Sequence, residues 1–488
     1  MLLTGFGLRH ALVLATMGTG WVLRLVPPAP PLLAYPGAEG AGRFTSGGRG
    51  TAAQPTTVLE VTNLKDDNLP GSLRYAVQLS EKKAPARTIV FRVAGTIHLL
   101  SPLSINKPNT TVAGQTAPGG GICLADYTVQ VKADNVIVRF LRFRMGDRYQ
   151  NQGFVDGAGG DDAFGSQRTH RLVLDHCSMS WSTDEACSVY ENDSTTLSWN
   201  IMGPPLNYSY HYEKGDTDFE HHGYGGIWGG QHATLHHNLW VHCNSRTPRF
   251  NGSRYTHAAG YENCDYRNNV IYDWGENNVY AGEGGNYNII NNYYKPGPST
   301  KPAVRARLLN PYKLTKGNNP LPYGHFYLAG NYQEASAEVT AHNWRGVDMN
   351  DGTRADTALA QAAQPFNFGP LTTQPAQQAY ELVLAGAGAT RPRRDTLDER
   401  LVREVRTRTG RIIDVQGGYP HGTPYSTSQK AWPVLAAAPA PADADHDGMP
   451  DAWEKTHGLN SKDAADRAKP GAGGYPMLEV YLAERAGE

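Results

Sequence analysis

The feature that most constrains this chain is a recurrent short run that ends in asparagine or a comparable polar corner. Between about residues 90 and 295 the segments 127-YTVQVKADNVIVRFLRFRMG-146, 171-RLVLDHCSMSW-181, 196-TLSWNIM-202, 234-TLHHNLWVH-242, 266-YRNNVIYDW-274 and 287-YNIINNYY-294 alternate apolar and polar residues. Each then breaks at Gly, Pro or Asn, which marks a half-buried strand bounded by turns. His176, Asn200, Asn238, Asn269 and Asn292 fall at comparable points, separated by 24, 38, 31 and 23 residues. A strand-sized unit carrying insertions of variable length is the pattern of a solenoid, in which each coil hides its inner face against the next. Asn side chains repeated at one corner can bond up and down the stack and satisfy turn backbone. An antiparallel sandwich would instead need tight hairpin dipeptides between the runs, and these are few. The expected fold class is therefore all-β, a parallel β-helix.

Composition agrees. The 488 residues include 54 glycines and 26 tyrosines, and only 19% are charged, which suits a turn-rich β architecture. Forty-five Lys and Arg against 46 Asp and Glu leave no basic surface for nucleic acid or an anionic membrane, so any recognition of anions must be local. Arg9 and His10 followed by the apolar 11-ALVLATMGTGWVL-23 read as a secretory signal, too short to span a membrane. Residues 1–33 are taken as signal and leader, 34–430 as the β-helix, 431–442 as an Ala/Pro linker and 443–488 as a small calcium-loop and helix unit. The mature protein is expected to be secreted, monomeric and without a membrane span. Residues 355–410 are expected to be partly helical, and 475–484 to form a helix. Five cysteines are too few for a disulfide scaffold; buried free thiols are favoured over a single bridge.

Three clusters carry chemistry. In 443-DADHDGMPDAWE-454, Asp443, Asp445, Asp447, Gly448, Asp451 and Glu454 occupy positions 1, 3, 5, 6, 9 and 12 of an EF-hand-type calcium loop; the competing reading is a solvated acidic turn. Within the solenoid, Asp161-Asp162 and Asp184-Glu185 would converge from neighbouring coils, and crowded carboxylates call for a cation. Asp162 and Asp184 are the better ligands, with Glu185 as a third. Asp175, in an apolar strand, is expected to bond the backbone locally. His176 and the other histidines read as packed polar residues, since no zinc-type spacing emerges. The third cluster is 242-HCNSRTPRFNG-252, where Pro248 stiffens the backbone between Arg246 and Arg249. The pair would either face the acids across a groove and share a carboxylated substrate with calcium, or bond loop carbonyls or acids at the surface. Between these clusters, 211-HYEKGDTDFEHHGYGGIWGG-230 has the composition of a loop lining a sugar cleft, with Lys214 and His222 as substrate-carboxylate partners.

The start AYPGAEGAG and the runs 173-VLDHCSMSWSTDEACSVY-190, 221-HHGYGGIWGG-230 and 245-SRTPRFNG-252 resemble the polysaccharide lyase family 1 pectate lyases, in particular the bacterial group with a D-x-D-x-D-G-M-P-D-x-W-E tail. The resemblance covers roughly 34–300 and 443–484. It implies a right-handed parallel β-helix that cleaves polygalacturonate, an acidic plant polysaccharide, by calcium-dependent β-elimination. It places the first calcium aspartate on Asp162 and the second on Asp184. The third acidic position falls on Ser188, for which Glu185 would substitute. Arg246 matches the arginine assigned as base; the family's second arginine falls on Asn251, leaving Arg249 as its replacement, and the family lysine maps to Lys214. From the residues alone Arg246 would be assigned only electrostatic stabilisation, because free arginine stays protonated. A β-helix glycoside hydrolase and a non-catalytic polysaccharide-binding β-helix are the alternative functions.

Overall fold

The structure, a computed structural model, describes residues 31–51, 53–148, 160–317 and 319–488; the apolar run 11–23 expected to be a secretory signal lies outside them. The chain winds as a right-handed parallel β-helix. Each complete coil contributes one strand to each of three long faces, and successive coils pair parallel. One face stacks nine strands among the described residues, among them Arg142–Arg144, Ser178–Ser180, Ile201–Met202 and Leu239–Val241. A second includes Val129–Val131, Phe164–Gln167, Ile227–Gly230 and Arg249–Phe250, and a third includes Val136–Arg139, His170–Asp175, Ala233–His236 and Asn263–Arg267. The long strand Cys187–Ser198 bends across the second and third faces.

The core follows from strict register. Ile89, Val112, Val138, Leu174, Leu197, Leu235, Tyr266 and Ile289 pair successively down the third face, and every one is buried. The period-2 pattern thus becomes one continuous apolar column, since a one-residue slip would turn the whole set outward.

The corner between the third and first faces carries the asparagine ladder. Asn200 donates its backbone N–H to Oδ1 of Asn238 at 3.0 Å, Asn238 does the same to Asn269 at 3.0 Å, Asn269 to Asn292 at 2.9 Å and Asn292 to Asn331 at 3.0 Å. One expected position shifts. Cys177, not His176, occupies the ladder point, donating its N–H to Asn200 Oδ1 at 2.9 Å. His176 sits one residue earlier, at the left-handed corner position shared with Trp199, His237 and Asn268, where it stacks between Phe140 and Trp199. Asp175 also departs from expectation. It bonds side chains rather than local backbone, accepting from Arg139 Nε at 2.8 Å and from Ser198 Oγ at 2.6 Å, with His176 Nδ1 at 2.7 Å. Burial opposes its charge, but His176 and Arg139 outweigh this and hold the carboxyl well below the usual range.

The helices Ala376–Gly386 and Thr396–Thr407 cover the outer side of the first face, packing Val383, Leu384, Leu401 and Val405 against Ile201, Leu239, Val241 and Val270. Buried Arg144 anchors them through Asp395 and Asp398 at 2.8 and 2.9 Å. The stretch after 431 runs along the solenoid. Trp432 donates Nε1–H to Arg144 O at 2.9 Å, and Gly120 donates its N–H to Ala436 O at 2.8 Å. The final helix, Met477–Ala486, packs Leu478 and Leu482 with Met449 against Ala113 of the third face. All five cysteines are free and buried. No helix among the described residues is long and apolar enough to cross a membrane.

Candidate active site

Most of the candidate residues lie on stretches that leave the solenoid at one corner, between the first and second faces: 145–148 and 160–163, 181–186, 203–226 and 242–248. Backbone bonds knit these stretches across coils. Asp184 donates its N–H to Asp161 O at 3.1 Å, Ala186 to Tyr224 O at 3.0 Å, and Gly225 to Ser245 O at 2.8 Å. Bridges join Glu185 to Tyr224 and Tyr224 to Ser245, so acid, aromatic and arginine segments line up on successive coils. Gly226 is what lets them close, because a Cβ there would sit 1.9 Å from Cys187 O.

Asp162, Asp184 and Glu185 meet as expected, their ligand atoms all within 4.8 Å of one another. Asp162 Oδ1 accepts from Glu185 N–H at 3.0 Å. Burial and the neighbouring Asp184 push the Asp162 carboxyl well up, and burial with Asp184 takes Asp161 to about 6. Raised carboxyls are what burial among like charges produces, and Arg246 offsets only part of it at Asp162. Ser188, at the departing third position, lies beside them and accepts from Ile227 N–H at 3.2 Å. Three carboxylates and a hydroxyl form a hard oxygen set that fits calcium.

Arg246 reaches this cluster from two coils on. It adopts a left-handed backbone, lays its guanidinium 4.5 Å over the Tyr224 ring, ion-pairs with Glu185 and donates Nε–H to the Tyr280 hydroxyl at 3.3 Å. The Thr247–Pro248 peptide that follows is cis.

Arg249 corrects the expectation of an open carboxylate clamp. It is buried, and its guanidinium is committed to Glu283 Oε1 at 2.7 Å and to the carbonyls of Phe250 at 2.8 Å and Asn251 at 3.2 Å. A nearby cation that makes no ion pair among the described residues is Arg254, whose Nε–H is donated to Asn251 Oδ1 at 3.2 Å and whose guanidinium lies 4.6 Å over Tyr255. Burial and then Arg249 lower its pKa. The sequence carried a signal for it, since Arg254 lies three residues beyond the position where the family arginine is missing.

Lys214 stands exposed on a turn closed by the Asp216 N–H to Glu213 O bond at 3.1 Å, and it makes no ion pair among the described residues. His222 is not an open substrate contact. It is buried with Nε2 2.7 Å from Asp184 Oδ1 and stacks on His211 at 3.8 Å. Burial raises Asp184, but His211 and His222 more than reverse that and hold it below the ordinary range. Beside the acids opens a cavity of ≈ 500 Å³, lined by Gln130, Lys132, Asp162, Ser166, Ser188 and Tyr190.

In the C-terminal loop, Asp443, Asp445 and Asp447 converge, and Asp447 meets Glu454 and Asp466. Both oxygens of Asp445 and Glu454, Asp447 Oδ2 and Asp466 Oδ1 are buried without a hydrogen bond. Burial among like charges raises Asp447 to about 8 and Glu454 to about 7. Such a nest of unsatisfied carboxylate oxygens fits a calcium ion. Asp466 lies outside the twelve-residue motif and was invisible to it. Asp451 instead closes the loop, accepting from Ala444 N–H at 2.8 Å.

No family model matches the chain. Probable pectate lyase C of Aspergillus fumigatus is 32% identical over 464 residues, covering 92% of this chain and 93% of its own. Probable pectate lyase C of Aspergillus flavus is 30% identical over 468 residues with the same coverage. Among solved structures, the cedar-pollen allergen jun a 1 matches 72% of this chain and 92% of its own at 15% identity and a TM-score of 0.47. The fungal matches run through 300–430, where the sequence motifs are silent. With a third of its residues shared with these relatives over nearly its whole length, the chain belongs to the pectate lyase family.

Proposed function

We propose that this protein is a secreted pectate lyase that cleaves α-1,4-linked polygalacturonate by calcium-dependent β-elimination, leaving an unsaturated sugar at the cut. The observation that carries this reading is the juxtaposition of a carboxylate cluster, Asp162, Asp184 and Glu185, with Arg246 across Tyr224. Elimination needs the C5 proton of a uronate removed and the charge that develops beside its carboxylate stabilised. Calcium, held by Asp162 and Asp184 with Glu185, would supply positive charge at the substrate carboxylate. Arg254, oriented by Asn251, takes the carboxylate-clamp role that Arg249 cannot, because Glu283 occupies Arg249. Arg246 faces the scissile residue as base or as charge stabiliser. Glu185 cannot both ligate calcium fully and neutralise Arg246, so the two roles compete for one carboxylate. Lys214 is proposed as a rim contact for the polymer. The C-terminal loop is proposed to hold a second, structural calcium through Asp443, Asp445, Asp447, Glu454 and Asp466, as in the bacterial group its motif resembles.

The test is to mix purified protein with polygalacturonate and calcium and to follow the ultraviolet absorbance of unsaturated product. Arg246→Ala should abolish that signal with an unchanged circular dichroism spectrum, and full activity in the variant would sink the assignment. Reducing ends without absorbance would indicate a hydrolase, and neither signal a binding protein.

A further inference from the structure

We propose that Asp184, His211 and His222 form a second metal site, one that takes a nitrogen-preferring divalent cation such as zinc rather than calcium. The spacing of the histidines along the chain does not indicate it, because the site is assembled by an inserted loop. Within 203–226 the chain doubles back on itself. Glu220 donates its N–H to His211 O at 2.8 Å, and His222 donates its N–H to Asn207 O at 2.7 Å. This pairing sets the two imidazoles face to face, 3.8 Å apart and 13° from parallel. Both present Nε2 to the same oxygen, Asp184 Oδ1, at 3.7 Å from His211 and 2.7 Å from His222.

Three observations favour a metal over a plain hydrogen-bonded cluster. Both histidines are more than nine-tenths buried, at 7% and 8% exposure, and both turn Nε2 to one carboxylate oxygen, Asp184 Oδ1. A tetrahedral zinc with bonds of about 2.0–2.1 Å sets its ligand atoms ~3.3 Å apart, so the Nε2–Oδ1 separations of 2.7 and 3.7 Å need only small shifts, with one ring turned out of the stack to aim its lone pair at the ion. Finally, a carboxylate stands behind the rings: Glu220 Oε2 lies 2.9 Å from His211 Nδ1 and 3.8 Å from His222 Nδ1. A carboxylate on the far nitrogen is the usual support of a metal-bound histidine, fixing its tautomer and raising its basicity. Two imidazoles and one carboxylate suit zinc and its first-row neighbours, whereas calcium prefers oxygen alone. Asp184 is common to this site and to the acid trio, so the two sites share one ligand. A metal here pins the 203–226 loop to the 181–186 corner.

The site does not depend on the lyase reading, and its test reads metal rather than turnover. Untagged protein is stripped with chelator, dialysed into calcium to fill the oxygen sites, and titrated with zinc by calorimetry. Wild type should bind one more zinc equivalent than His211→Gln or His222→Gln, and Glu220→Gln should bind that equivalent about tenfold more weakly or worse. Cobalt(II) in place of zinc should give the visible absorption of a nitrogen-ligated, low-coordinate ion. Equal zinc stoichiometry and affinity in wild type and both histidine variants overturns the proposal. Should the glutamine variants not fold, a wild-type cobalt titration without visible absorption overturns it equally.

Discussion

Asn238→Ala tests the ladder on which the solenoid rests. Asn238 is fully buried, and its side chain makes four bonds of 3.0 Å: Oδ1 accepts from Asn200 N–H and from Asn200 Nδ2, while Nδ2 donates to Leu197 O and to Asn269 Oδ1. Truncation leaves the bond from its own N–H to Asn269 Oδ1 in place but strands the Asn200 N–H with no acceptor. An orphaned buried donor costs about 1–3 kcal/mol, and each of the other lost bonds about 1 kcal/mol net. The sum is about 4–6 kcal/mol, a large part of the ~5–15 kcal/mol that holds an ordinary domain. Because coils contact only their neighbours, the loss should be local. Hydrogen exchange read by mass spectrometry should show peptides around 196–202 and 234–241 losing protection, with the helix 477–486 unchanged. Asn238→Asp keeps the acceptor but buries a charge, so it should be no milder than alanine at pH 7 and should improve as the solution is acidified. Protection in Asn238→Ala within about 0.5 kcal/mol of wild type would refute the reasoning, since it would mean that the corner backbone finds other partners.

Two further outcomes follow from buried ionisable groups. Glu454→Gln should lose most of the calcium-dependent stabilisation expected of wild type in thermal melts, which by mass action reaches about 2.7 kcal/mol at a hundredfold excess of calcium over Kd. An identical stabilisation in the variant would remove Glu454 from the site. His237, buried beside His236 with Gln374 Oε1 2.8 Å from its Nε2, is pushed down from 6.5 to about 4, chiefly by burial. The unfolded chain therefore takes up a proton that the folded chain refuses. Stability from this group is complete above about pH 6.5 and is lost as the pH falls towards 4, an effect of about 3 kcal/mol. His237→Asn should flatten that acid limb in thermal melts from pH 4 to 7; an unchanged slope would assign it to other groups.

The parallel solenoid was legible because its physics is periodic. An Asn that must sit at a corner leaves a mark at every coil, and alternation marks each strand. The ladder was misread only at its start, where Cys177 takes the buried point and His176 the outward aromatic stack. The acid trio was legible for the same reason, since neighbouring coils bring Asp162 beside Asp184 and Glu185. What could not be read were partnerships made by distant segments. Nothing local says that Arg249 will be claimed by Glu283, thirty-four residues on, or that Arg254 is left without an ion pair among the described residues. Asp466 joins the calcium loop from beyond the motif, and His211 meets His222 only because an insertion folds back on itself.

The alignment of Glu185, Tyr224 and Arg246 on consecutive coils has a consequence of reach. Parallel strands lie about 4.8 Å apart, so groups at one register point on adjacent coils arrive at a spacing that a single ion can bridge. Two coils away the gap is about 9.6 Å, beyond any short side chain. Glu185 and Arg246 are two coils apart, with the Tyr224 ring filling the coil between. Only a side chain as long as arginine, supported along its length by an aromatic face, closes that interval. The pitch of the solenoid therefore selects which amino acids can act together across it, and Arg246→Lys, shorter and without a planar fork to lie on the ring, would fall short of its partner.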